Sequence, residues 1–121
     1  MKREISLSDA ELKLMDILWS GGAQKARNVA MIAKEETGWE KNTVYTMLKR
    51  LIEKGAVRRE EPDFVCAATV QKDEIARERT RHLLDKLYDG SSRMFLRAFI
   101  REQNLTKQDI EELRRIIDEG K

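Results

Sequence analysis

The chain has 121 residues, 40% hydrophobic and 38% charged, with a formal net charge of +2, about one domain's worth of material. Its longest apolar run, Phe64 to Val70, falls far short of the roughly 18 residues that cross a membrane, and "MKREISLSDAE" has no apolar signal core. One Cys forms no internal disulfide and cannot by itself build a zinc site, so a cytoplasmic protein without metal or other cofactor is expected.

The first predicted element is a helix in "LSDAELKLMDILWSGG". Ser8 with Glu11 three residues on makes a capping box, and Leu7 and Leu12 are spaced for a hydrophobic staple. Leu12, Met15, Leu18 and Trp19 recur at helical spacing, and Gly21–Gly22 end the run. A second helix, 26–37, carries Ala26, Val29, Ala30 and Ala33 along one side, although Lys25 is a poor cap. The third spans 41–54 and stops at Gly55, with Val44, Met47, Leu48, Leu51 and Ile52 on one face. Beyond it, "AVRRE" and "FVCAATV" read as two short strands joined by the turn "EEPD", which holds the single Pro. Three helices followed by a β-hairpin is the order of a winged helix-turn-helix.

The charge distribution singles out the third helix and its hairpin. From Lys41 to Arg59 there are six basic residues and one acid, Glu53, in a chain that is otherwise nearly balanced. A helix that reads DNA packs its apolar face on its own domain and turns donors and acceptors of moderate length toward base edges. Asn42, Thr43, Tyr45 and Thr46 suit that role, and Lys41, Lys49, Arg50, Arg58 and Arg59 suit phosphate docking. The competing expectation is a winged-helix protein-protein interaction module without specific DNA binding. A merely solvated face mixes Glu with Lys, and this one has only Glu53.

Three further helices follow. "DEIARERTRHLLDKLYDG" places Ala76, Thr80, Leu83, Leu84 and Leu87 on one face. "SSRMFLRAFIREQNL" is apolar nearly all round, at Met94, Phe95, Leu96, Ala98, Phe99 and Ile100. "TKQDIEELRRIIDEG" opens on Thr106 with Asp109 three residues on and continues through Ile110, Leu113, Ile116 and Ile117. About fifty residues make a poor core alone, so a partner chain is expected to cover them. The expected division is a winged-helix domain over 1–71 and a helical dimerisation domain over 72–121, held together across a homodimer by Leu83, Leu87, Met94, Phe95, Phe99, Ile110, Leu113 and Ile117. The alternative is that the apolar middle helix packs back on the winged domain.

These pieces resemble the penicillinase-repressor (BlaI/MecI) family of bacterial transcriptional regulators over nearly the whole length. The resemblance rests on "LSDAELKLMDILW", "NTVYTMLKRLIEKGAV" and "DIEELRRIID". In the middle piece the pattern is kept at Thr43, Val44, Thr46, Leu48, Arg50, Leu51, Lys54 and Gly55. It implies repression by a homodimer on a two-fold symmetric operator in double-stranded DNA, in a β-lactam-resistance-type or related stress regulon. It implies DNA contact by Asn42, Thr43, Tyr45, Thr46 and Arg50, with Tyr45 standing where other members often have Arg. It further implies an inactivating protease, whose cut matches the Ala98–Phe99 bond, although members with that cut carry Asn where this chain has Ala98. A copper-responsive branch carries Cys-x-Cys motifs near the C-terminus, and this chain has none.

Catalysis is not expected. There is one His, one Cys and no glycine-rich phosphate loop, and the adjacent pairs Glu35–Glu36 and Glu60–Glu61 lie on exposed segments. His82 reads as a surface residue, Cys66 as a small buried hydrophobe and Trp39 as a packing anchor.

Overall fold

A computed structural model describes residues 5–120. In chain order the elements are α1 (Asp9–Gly21), β1 (Gln24–Lys25), α2 (Ala26–Thr37), α3 (Lys41–Lys54), β2 (Val57–Glu60), β3 (Val65–Ala68), α4 (Lys72–Leu87), α5 (Ser92–Glu102) and α6 (Lys107–Glu119). The fold is mainly helical with a small antiparallel sheet, a winged helix-turn-helix followed by helices.

Ser8 caps α1 as its capping box requires. Its hydroxyl accepts from the Glu11 N–H at 3.1 Å, and the Glu11 carboxylate accepts from the Ser8 N–H at 2.8 Å. The buried face of α1 lies somewhat differently from the expected one. Leu14 and Ile17 join Met15 and Leu18 inside, whereas Leu12 and Trp19 are half-buried. The cause is enclosure: α1 packs against α2, α3 and β3 together, so a stripe wider than one row of residues goes inside. Trp19 keeps its polar end satisfied, with Nε1 donating to the Val70 carbonyl at 2.9 Å.

The sheet has one strand more than the hairpin. Gln24–Lys25 pairs antiparallel with β3, Gln24 opposite Cys66, so the order is β1-β3-β2. On the other side β2 pairs with β3, Val57 opposite Ala68 and Glu60 opposite Val65. This third strand resolves the weak start of α2. Lys25 makes no side-chain cap, and the Ala26 N–H instead donates to the Phe64 carbonyl at 2.9 Å.

The core beneath is continuous. Leu14, Met15 and Leu18 of α1 meet Val29 and Ala33 of α2, Val44, Leu48 and Leu51 of α3, and Val57 and Cys66 of the sheet. Helix α3 ends at Gly55, whose φ of 84° is left-handed, and the next N–H groups close back on Ile52 and Leu51.

The chain divides into two compact units, Met1–Glu78 and Arg79–Lys121, with the division inside α4. The first turn of α4 serves the first unit. Ile75 is buried in its core, and Lys72 pairs with Asp16 of α1 at 2.9 Å. Ile75 lies outside the face of Ala76, Thr80, Leu83, Leu84 and Leu87 that spacing predicts for this helix.

The second unit has well-formed helix ends but no buried residue in α5 or α6. Ser91 caps α5 by accepting from the Met94 N–H at 3.1 Å. Thr106 and Asp109 form the expected capping box on α6. Tyr88 meets Phe95 edge-on at 5.4 Å between centroids, and Phe95 stacks on Phe99 at 5.8 Å. Against this small cluster stand exposed apolar side chains along every helix of the unit, among them Leu87 and Ile117, each 72% exposed.

Candidate nucleic-acid interface

One face of α3 collects most of the sequence-predicted contact residues. Val44, Met47, Leu48 and Leu51 are buried, and this leaves Lys41, Asn42, Thr43, Thr46, Lys49 and Arg50 exposed on the opposite side. Glu40 stands at the N-cap position and makes no side-chain hydrogen bond to the first turn. Thr46 is fixed by its own backbone: Oγ1 donates to the Asn42 carbonyl at 2.9 Å.

Tyr45 is placed differently from its neighbours on this face. It is half-buried, with its ring edge-to-face against Phe64 at 5.8 Å and 86°, and Lys41 Nζ lies 5.6 Å from its centroid. Phe64 sits just before β3, and the Arg59 guanidinium lies 3.7 Å over its ring. The hairpin and α3 are thus joined through two aromatic rings between two cations.

The two hairpin arginines are exposed yet already partnered. Arg58 donates to Glu60 at 2.7 Å and Arg59 to Glu61. The acid-poor stretch therefore ends where two carboxylates reach back across it. Solvent-exposed pairs of this kind contribute only about 0–1 kcal/mol, so a competing anion displaces them at little cost.

Two cations not singled out from the sequence also lie here. Lys25 and Arg27 flank the start of α2 and line a cleft of about 150 Å³ with Ala26, Tyr45, Asp63 and Phe64. Their signal in the sequence was a pair of basic residues around a helix start, visible only as a poor cap until β1 brought them beside the hairpin.

The far end of α3 is anchored by charge. Lys54 Nζ donates to Glu11 Oε1 at 2.7 Å and to the Ser6 carbonyl at 2.9 Å, tying the helix to the segment before α1. Glu11 is 4% exposed, and its Oε2 has no partner among the described residues. Burial alone would raise the pKa of Glu11, but hydrogen bonds from Lys54 and Ser8 and the Lys54 charge together hold it below the usual carboxylate range.

In the second unit, Leu83, Leu87, Met94, Phe99, Ile110 and Ile117 are exposed, and Phe95 and Leu113 are half-buried. The Ala98–Phe99 bond lies inside α5 in helical conformation. His82 is exposed, Trp39 packs half-buried against the core, and Cys66 is fully buried, where desolvation pushes its thiol up despite the charge of Arg59. Among the described residues no cluster of His, Cys, Asp and Glu can hold a metal ion, and no helix is long and apolar enough to cross a membrane.

A family model described as penicillinase repressor matches residues 7–119. The chain belongs to the penicillinase repressor family. Within that family it is 28% identical over 123 residues to the penicillinase repressor of Bacillus licheniformis, covering 100% of this chain and 96% of that one. To the methicillin resistance regulatory protein MecI of Staphylococcus aureus (strain N315) it is 26% identical over 114 residues, covering 93% of each. Among solved structures it is similar to the DNA-binding domain of the repressor BlaI, at 30% identity and a TM-score of 0.55, over 61% of this chain and 93% of that one. It is also similar to monomeric Bacillus licheniformis BlaI in complex with the blaP half-operator, at 32% identity and a TM-score of 0.52, with the same coverage. Penicillinase repressors are transcriptional regulators rather than an enzyme class.

Proposed function

We propose that this protein is a homodimeric, sequence-specific transcriptional repressor that binds a dyad-symmetric operator in double-stranded DNA. The observation that carries the reading is the outer face of α3, where Asn42, Thr43 and Thr46 stand exposed among Lys41, Lys49 and Arg50 above a fully apolar inner face. The solved complex of a relative with a half-operator supports the same use of this winged helix.

Asn42, Thr43, Tyr45 and Thr46 read base edges in the major groove, and Lys41, Lys49, Arg50, Arg58 and Arg59 hold phosphates. Binding exchanges the Glu60 and Glu61 partners of the hairpin arginines for phosphate oxygens. Residues 1–71 form the DNA-binding domain. Residues 72–121 pair two protomers through Leu83, Leu87, Met94, Phe95, Phe99, Ile110, Leu113 and Ile117, which a single chain leaves largely in water. A two-fold then sets the half-sites about one helical turn apart, ~34 Å. The protein works in the cytoplasm, on a β-lactam-resistance-type or related stress regulon. Cleavage at Ala98–Phe99 by an inactivating protease removes α6 and the end of α5, and the two half-sites lose the advantage of being bound by one tethered pair.

Binding to cognate and random duplexes across a salt series, alongside footprinting, tests this. Lys49→Ala and Arg50→Ala should weaken both duplexes alike and lower the salt slope by about one per lost phosphate contact. Thr46→Ala should cost roughly 1–3 kcal/mol on the cognate site and little on random DNA. Equal losses for all three variants, or protection of a single asymmetric half-site, would defeat the proposal.

A further inference from the structure

We propose that Phe64 is a positioning residue for operator reading, acting through Tyr45; the proposal deepens the DNA-reading function above and rests on it. Phe64 lies between the strands of the hairpin, outside α3 and away from the exposed reading face. Yet three separate constraints converge on it. Its carbonyl accepts from Ala26 N–H at 2.9 Å, its ring receives the edge-to-face contact with Tyr45 at 5.8 Å, and the Arg59 guanidinium covers it at 3.7 Å.

The backbone points the same way. Phe64 has a φ of 50°, a left-handed conformation that bulky side chains rarely adopt and that Gly or Asn fills more easily. Observed strain of this kind is retained where the surrounding structure uses the side chain it carries. Here the use is a wall for Tyr45. Tyr45 is the single predicted reading residue that is half-buried instead of exposed, and it contacts both Phe64 and Lys41 Nζ, the latter 5.6 Å from its centroid. A ring packed against a fixed neighbour delivers its hydroxyl and edge to one place over the groove, whereas an unsupported ring spreads over several rotamers.

The loss of discrimination expected on removing the wall is roughly two- to tenfold at one base pair per half-site, the scale of a single aromatic pair. The consequence at the bases is local: other base pairs keep their preference, and loss of the Arg59 contact lowers affinity for all sequences alike.

The test compares the full-length wild type with Phe64→Leu, Phe64→Tyr, Tyr45→Ala and the Tyr45→Ala/Phe64→Leu double variant. Each is used to select from a library of duplexes randomised over an operator-length core, and Tyr45 ring protons are followed by NMR without DNA. Phe64→Leu should lose preference at the same position as Tyr45→Ala, and Phe64→Tyr should keep it. The double variant should select the same motif as Tyr45→Ala alone, and the Tyr45 signals should move in Phe64→Leu but not in Phe64→Tyr. Uniform weakening of every position, an unchanged motif, or a further loss in the double variant would overturn the proposal, as would Tyr45 signals that do not move. A wild type that selects no motif overturns the DNA reading itself and this proposal with it, an outcome separate from the others because the NMR arm still reports the ring contact.

Discussion

Replacing Lys54 with Met removes the cation from a carboxylate that folding has taken out of water. Glu11 is 4% exposed while the Lys54 side chain is 39% exposed, so the pair is neither fully buried nor a surface pair. Breaking a buried pair costs about 3–5 kcal/mol and losing an exposed one about 0–1 kcal/mol. The Ser8 N–H stays bonded to Glu11 and water reaches the Lys54 side, which sets the expected loss at about 1.5–3 kcal/mol, roughly 6–24 °C in Tm. The loss should depend on pH. In the wild type the lowered pKa of Glu11 means that its stabilisation is complete above the usual carboxylate range and disappears as pH falls through the lowered value. In Lys54→Met the burial of Glu11 is no longer offset by the cation, so its charged form is penalised at neutral pH and relieved by protonation. The variant's penalty fades as pH falls toward roughly 4.5 and the wild type's stabilisation fades below it, so the gap narrows progressively in acid. Thermal unfolding of the full chain followed by circular dichroism at pH 3.5, 5 and 7 checks this. A gap under about 0.5 kcal/mol at pH 7, or one that stays constant into acid, would refute the reasoning.

Three further outcomes are expected. Trp19→Phe should cost about 1–2 kcal/mol, because the Val70 carbonyl loses its 2.9 Å donor and a half-buried indole is trimmed; denaturant unfolding measures it. A 1–98 fragment, or Ile117→Lys in the full chain, should sediment as a monomer and bind a palindromic duplex at least tenfold more weakly, since the second half-site contact is no longer intramolecular. Cys66 should react with a disulfide reagent at pH 8 far more slowly in the native protein than in denaturant, because burial both shields the thiol and raises its pKa.

What was legible in the sequence is local. Ser8 with Glu11, Thr106 with Asp109, and Gly55 as a helix end are short-range signals, and each forms the cap or terminator its spacing foretold. The exposed polar face of α3 follows from 3.6-residue periodicity in the same way. Longer-range pairings were not legible. A two-residue strand such as Gln24–Lys25 has no period to detect, and only its partner β3 makes it a strand. Lys54 and Glu11 are 43 positions apart, and nothing in either neighbourhood names the other. The half-burial of Tyr45 belongs to the same class, since its wall, Phe64, comes from the hairpin. Ile75 was missed because the apolar positions of α4 were matched to one face for the second unit, while its first turn turns another into the first.

The hydroxyl of Thr46 has a single proton, and that proton is already given to the Asn42 carbonyl. What remains to face outward is lone-pair density and a methyl group. Such a side chain offers nothing to the O6 and N7 acceptors of guanine, and it complements the amino groups of adenine and cytosine or the methyl of thymine. A bond made wholly within the helix thus gives this position a polarity: while the bond is kept, the hydroxyl accepts and does not donate. On the proposed docking, operator bases opposite Thr46 would then be selected partly by exclusion, with guanine the edge disfavoured for as long as that bond is kept.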